Sequence, residues 1–150
     1  MAARQAGRLA VSFDIEGANA IGDQLPLVSA CHHLGVRWML IAYNRSNRAG
    51  GGCQDDDTGL KAFGRDVVRE MERVGMVACA SQQPGTEPPP TSSGWPPSRW
   101  SSGPCNAHAL VPHPRNIPES LTEACAQTGG VVGVNGVGLF LGPADDDQAE

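Results

Sequence analysis

The chain has no excess of basic charge. Eleven Lys and Arg stand against sixteen Asp and Glu, giving a net charge of −5 over 150 residues. A nucleic-acid partner needs a basic face to neutralise phosphates, so that class of function is set aside. Long apolar runs are also missing. No stretch approaches the roughly 18 apolar residues of a membrane span. Residues 1–10 carry arginines without a continuous apolar core, which argues against a secretory signal. No apolar tail of the lipid-anchor kind is present at the other end. Five cysteines, Cys31, Cys53, Cys79, Cys105 and Cys125, contain no C-x-x-C pair. Their odd number and wide spacing fit reduced thiols in a cytoplasmic protein better than a disulfide frame or zinc finger. Neither G-x-G-x-x-G nor a Walker loop occurs, which weakens a nucleotide-binding reading. Asp55, Asp56 and Asp57 lack EF-hand spacing and read as a solvated acidic loop.

What is present suits one modest domain over residues 1–150, with an ordinary 40% of hydrophobic residues. Residues 9–15 (LAVSFDI) read as a buried strand that runs into Glu16. Asp23 is placed to cap a helix carrying Leu25, Val28, Cys31 and Leu34, with Gly35 as its stop. Residues 36–43 (VRWMLIAY) form a second expected strand. Thr58 is placed to cap a second helix, along which Leu60, Phe63, Val67, Met71 and Val74 recur every three or four positions before Gly75. Residues 76–81 read as a third strand, 118–127 as a helix stopped by Gly129, and 131–141 as a fourth strand softened by glycines. Alternating strands and helices, with strands apolar throughout, indicate parallel βα units. A doubly wound sheet and a (β/α)₈ barrel both satisfy that pattern.

Residues 82–104 break it. Seven of the twelve prolines fall there. Proline at that density opposes both helix and central strand, yet a βα unit belongs at this place. A surface insert is the plain alternative, although long structureless loops inside compact domains are uncommon.

Five blocks, in order, carry a resemblance: residues 14–25 (DIEGANAIGDQL), 35–47 (GVRWMLIAYNRSN), 58–77 (TGLKAFGRDVVREMERVGMV), 113–121 (HPRNIPESL) and 128–142 (TGGVVGVNGVGLFLG). They are similar to the membrane dipeptidases of peptidase family M19, with family-like sequence over 8–81 and 105–142. The resemblance implies part of a (β/α)₈ barrel of the metal-dependent hydrolase kind, two zinc ions, and hydrolysis of dipeptides. In such barrels chemistry sits where strands end. By resemblance Glu16 is the carboxylate that bridges both metals, which would share an activated water. Arg115, in H-P-R-N, matches the arginine that holds the substrate carboxylate, a task suited to a bidentate guanidinium. Tyr43 and Asn44, in A-Y-N, fall at substrate-contacting positions. Without the motifs, Glu16 reads as a surface acid, Arg115 as a surface arginine and Tyr43 as a strand-end aromatic. His32 and His33 are adjacent on a helix and cannot chelate one ion together. His108 and His113 read as ordinary loop histidines.

The family's H-x-D pair and its later aspartate motif have no counterpart in the sequence. Gln82 and Pro104 stand where two zinc-binding histidines belong, and neither replaces an imidazole. The expectation is a dipeptidase-type chain that is inactive as written and does not retain zinc. The alternative is a non-catalytic relic or binding remnant of the barrel. Unpaired strand edges of a partial barrel also predict self-association. The two lost ligands flank the proline-rich stretch. Read one frame over, codons for residues 83–88 admit T-G-Y-R-T, and those for residues 98–102 admit P-V-V-F, strings that relatives show beside the two histidines. A local frame shift, entering near Gln82 and restored near Gly103, accounts for both losses.

Overall fold

The computed structural model describes residues 2–55, 59–79, 100–102 and 105–142. A short helix α1 (Ala2–Gln5) precedes strand β1 (Phe13–Glu16). Helix α2 (Pro26–His33) leads to β2 (Val36–Leu40), and α3 (Ala62–Val74) to β3 (Val77–Cys79). Strand β4 (Trp100–Ser102), helix α4 (Glu119–Gln127), strand β5 (Val131–Val132) and helix α5 (Gly138–Leu141) follow.

All four strand pairings are parallel, and the sheet order is β1-β2-β3-β4-β5. That order decides between the two architectures the sequence left open. A doubly wound sheet reverses its strand order at a switch point, whereas a barrel adds strands consecutively. The five strands here run consecutively, as barrel staves do.

Helix α3 shows how sequence sets the core. Val67, Val68 and Met71 recur on one face and are buried, while Arg65, Asp66 and Arg69 face water. Gly75 ends the helix at φ 80°. That left-handed conformation suits glycine, and it lets the Met76 N–H reach the Met71 carbonyl at 2.8 Å. Ile21, Val28, Met39, Ile41, Val67 and Met71 close a single cluster between α2, α3 and the sheet. Each such side chain contributes about 1.5–3 kcal/mol by leaving water. A smaller cluster, Leu121 and Cys125 against Ala124 and Val132, seats α4 on β5.

The structure corrects several expected boundaries. Strand β1 begins at Phe13, and Leu9 and Val11 lie outside it, 89% and 77% exposed. The strand is not buried, because it forms one edge of the sheet. Asp23 does not cap α2. Leu25 precedes the helix, and Pro26 starts it, where its missing N–H costs nothing. Leu60 is not helical but bridges Gly50 across an antiparallel pair, so α3 starts at Ala62. The expected cap Thr58 lies outside the described residues. The anticipated strand over 131–141 pairs only at Val131 and Val132, and Gly138–Leu141 is helical instead. Finally, the proline-rich stretch does contribute a central strand. β4 uses the proline-free triplet Trp100–Ser102, pairing with β3 on one side and β5 on the other. The triplet has its backbone N–H groups free of proline's restriction.

Candidate functional site

Three loops converge beyond the C-terminal ends of the strands. The first follows β2 and carries Tyr43, Asn44 and Cys53. Asn47 organises it: the side-chain amide donates to the Ile41 carbonyl at 2.7 Å and accepts from the Ala49 and Gly50 N–H groups. Asp55 closes the turn by accepting from the Ser46 N–H and from Arg45. Those two donors, the backbone first, hold the Asp55 carboxyl below its ordinary value. Gly64 of α3 lets this loop press on the helix. A Cβ there would sit 1.9 Å from the Ala49 carbonyl oxygen.

The second loop runs from Cys105 to Ile117 and is closed by a parallel bridge between Ala107 and Ile117. It presents His113 and Arg115. The Arg115 N–H donates to His113 Nδ1 at 3.1 Å. The third segment is α5, whose Phe140 is buried.

Arg115 joins the three. Its guanidinium carbon lies 5.5 Å from the centroid of the Tyr43 ring and 5.1 Å from that of Phe140. Both rings offer their electron-rich faces to the cation. The Phe140 ring in turn lies 4.7 Å from the His113 ring. Arg115 Nε is buried with no hydrogen-bond partner among the described residues. An unpaired buried N–H costs about 1–3 kcal/mol, so its persistence calls for an explanation.

Cys53 sits nearby. Its thiol donates to Asn44 Oδ1 at 3.8 Å. Burial pushes the thiol pKa up, against the opposing pull of the Arg115 charge. The thiol therefore stays protonated at neutral pH and does not neutralise the guanidinium. The site thus holds a positive charge that its own described neighbours leave uncompensated.

Tyr43, Asn44 and Arg115, singled out from the sequence, are accordingly brought together. His113 is a half-buried loop residue that packs against Phe140 and orients the Arg115 backbone. Phe140 and Cys53 were not foreseen. Both are apolar or weakly polar side chains whose roles arise only from contacts distant in sequence.

Glu16 ends β1 and is exposed. It lies on the strand next to β2, paired with Leu40, and Gly17 approaches the Tyr43 backbone N. Gln82 and Pro104 lie outside the described residues. Among the described residues no three His, Cys, Asp or Glu side chains come together as a metal site. These residues do not fit a dinuclear zinc centre, and Glu16 stands without companions there. Among them, too, no helix is long and apolar enough to cross a membrane.

The sequence pattern of the family described as "Membrane dipeptidase (Peptidase family M19)" matches residues 1–149. An uncharacterized dipeptidase of Schizosaccharomyces pombe is 32% identical over 133 residues, covering 86% of this chain and 32% of that protein. A dipeptidase of Claviceps purpurea is 29% identical over 134 residues, covering 85% of this chain and 31% of that protein. Among solved structures, an amidohydrolase from Pseudomonas aeruginosa superposes with a TM-score of 0.77 at 31% identity, over 89% of this chain and 41% of the other. A metallo peptidase from Rhodobacter sphaeroides, liganded with a phosphinate mimic of the dipeptide L-Ala-D-Ala, superposes with a TM-score of 0.80 at 26% identity, over 91% and 41%. The chain spans about a third of the length of these curated relatives. The TIM-barrel architecture of the neighbours bears out the barrel expectation, and the consecutive parallel strands are its visible part here. On the match over nearly its whole length, the chain belongs to the membrane dipeptidase family, peptidase family M19.

Proposed function

We propose that this chain carries the substrate-carboxylate side of a dipeptidase site, centred on Arg115, and that it does not hydrolyse dipeptides as it stands. The observation that carries the proposal is the Arg115 guanidinium, set against the Tyr43 and Phe140 rings with its buried Nε unpaired among the described residues. A dipeptide's terminal carboxylate is the acceptor such a group lacks. A charge-assisted contact of this kind is worth roughly 1.5–3 kcal/mol. The two rings lie against the half-buried guanidinium, and the protonated Cys53 leaves its charge available.

In the whole enzyme, zinc would supply the polarised carbonyl and the activated water. The described residues do not by themselves assemble that centre. A non-catalytic binding remnant is thus the form in which the family's activity would survive in this chain. Its partner would be a dipeptide, and its compartment the cytoplasm, in keeping with an odd number of widely spaced cysteines.

The test is binding of L-Ala-D-Ala followed through the Arg115 Nε–H resonance. The free dipeptide should shift it, and the same dipeptide with its carboxylate converted to an amide should not. Equal responses to both ligands, or none to either, would sink the proposal. Zinc-dependent hydrolysis of a dipeptide by the purified chain would overturn the claim of inactivity.

A further inference from the structure

Asn116 is the one buried polar residue among those described, 1% exposed. Every polar atom of its side chain is used. The amide nitrogen donates to the Val111 carbonyl at 2.9 Å and to the Phe140 carbonyl at 3.0 Å, and the oxygen accepts from the Asn106 N–H at 3.1 Å. Asn106 continues the network. Its amide nitrogen donates to the Asn135 carbonyl at 3.0 Å and the Phe140 carbonyl at 3.2 Å, while its oxygen accepts from the Asn135 N–H at 3.1 Å. The Phe140 carbonyl therefore receives two side-chain amides from a different loop.

Helix α5 needs such help. Four residues cannot sustain a helix alone. Its Leu139 and Leu141 are 69% and 53% exposed, so Phe140 is the one apolar side chain by which it is held. The Phe140 ring is nevertheless the surface against which the Arg115 guanidinium rests. Asn116 directly follows Arg115 in the chain. One loop therefore delivers both the cation and the clamp that fixes the ring beneath it.

We propose that Asn116, assisted by Asn106, is a positioning residue for Arg115: by holding the Phe140 carbonyl it sets the ring that confines the guanidinium. This rests on the reading of Arg115 as the carboxylate anchor. Loss of the clamp releases α5, opens one face of the guanidinium to water, and weakens carboxylate binding without touching the ligand directly.

The experiment compares the full chain with Asn116→Ser, Asn106→Ser and Phe140→Leu. Two quantities are read from the Arg115 Nε–H: its hydrogen exchange in the free protein, and its response to L-Ala-D-Ala. Backbone amides of α3 and β2 report whether the main core is intact. In the unaltered chain Arg115 Nε–H exchanges more slowly than the exposed Arg65 and Arg69. Asn116→Ser should speed that exchange by about tenfold or more and weaken the dipeptide by a similar factor, as expected for losing roughly 1.4 kcal/mol of positioning. Protection of α3 and β2 should stay. Phe140→Leu should reproduce both effects with the amide network untouched, and Asn106→Ser should give a smaller version of them. If Asn116→Ser unfolds the chain, Phe140→Leu and Asn106→Ser decide in its place. Unchanged Arg115 exchange in these variants, with the core protected, overturns the positioning role. If the unaltered chain shows slow Arg115 exchange but no response to the dipeptide, the anchor reading fails, and exchange in the variants still decides the positioning role.

Discussion

Replacing Arg115 with methionine separates the cost of the site from its use. Two opposing terms follow from the geometry. The guanidinium rests on two aromatic rings, at 5.5 and 5.1 Å, and the substitution forfeits both cation–π contacts. Partly desolvated contacts of that kind are worth about 1 kcal/mol each. The substitution also removes a buried N–H that has no acceptor among the described residues, recovering about 1–3 kcal/mol. Methionine is unbranched and flexible, so it fills much of the vacated slot and keeps the rings apart. The terms nearly cancel, and Arg115→Met should leave stability within about 1 kcal/mol of the unaltered chain. For a domain of this size that is a shift of roughly 2–4 °C in melting temperature. The contrast appears with ligand. At a concentration of L-Ala-D-Ala a hundred times its dissociation constant, the unaltered chain should gain about 2.7 kcal/mol and the variant nothing. Urea denaturation with and without the dipeptide measures both quantities. A loss above about 3 kcal/mol without ligand is what breaking an internal buried ion pair produces. That result would show Arg115 paired within the protein, and the anchor reasoning would be refuted.

Gly64→Ala should destabilise, although alanine is the better helix former by about 1 kcal/mol, because the new Cβ would stand 1.9 Å from a backbone oxygen that cannot swing away. A net loss of about 2 kcal/mol in urea, or release of residues 44–55, is expected, and a higher urea midpoint would contradict it. Acid should loosen the same loop: Asp55 titrates below its ordinary value near 3.8, so its contribution is present above that pH and disappears as pH falls through the lower folded value. Ser46 amide protection should drop in that range, and Asp55→Asn should flatten the dependence; an unaltered drop in that variant would assign it elsewhere. The two sheet edges carry exposed Phe13 and Val131, 62% and 64% exposed, so the chain should self-associate in sedimentation experiments and Phe13→Lys with Val131→Lys should reduce it. A monodisperse 15.7 kDa monomer for the unaltered chain would count against that expectation. The bases encoding residues 82–103, read one frame over, should spell a dipeptidase-like strand and helix; if they do not, the frame-shift explanation of Gln82 and Pro104 fails.

The elements legible in the sequence were those set by local periodicity and a glycine stop. Helix α3 with Gly75, and α4 with Gly129 at φ 68°, lie where spacing placed them. Errors arose where tertiary partners decide. Residues 9–11 look like the start of a strand, but β2 offers no partner before Val36, which pairs with Phe13. Residues 133–137 look equally strand-like, yet Asn135 is engaged by Asn106, and the chain then turns into α5. Strand β4 was hidden by surrounding proline, although its own three residues hold none. The site shows the same division. Motifs singled out Arg115, Tyr43 and Asn44, and the structure sets the Arg115 guanidinium against the Tyr43 ring. Phe140, whose carbonyl meets a side chain twenty-four positions away, left no local signal. A buried Asn between an arginine and an isoleucine is equally silent until its three bonds are seen.

The division between recognition and chemistry has a structural cause. The carboxylate anchor is assembled from two loops and one short helix, all tied by backbone and amide hydrogen bonds within the described residues. A dinuclear metal centre instead demands ligands from several strand ends at once, and among the described residues no three His, Cys, Asp or Glu side chains come together to supply them. The anchor's own hydrogen bonds all lie outside residues 82–104, so a frame shift confined to that stretch would leave them in place. The unpaired Arg115 Nε makes the point energetically. Its cost of about 1–3 kcal/mol is set against two cation–π contacts of about 1 kcal/mol each, which leaves the arginine close to neutral for the fold. A methionine or leucine at that position would serve the fold as well. Arginine differs from them in the carboxylate it can hold, and that is the use the proposed reading gives it.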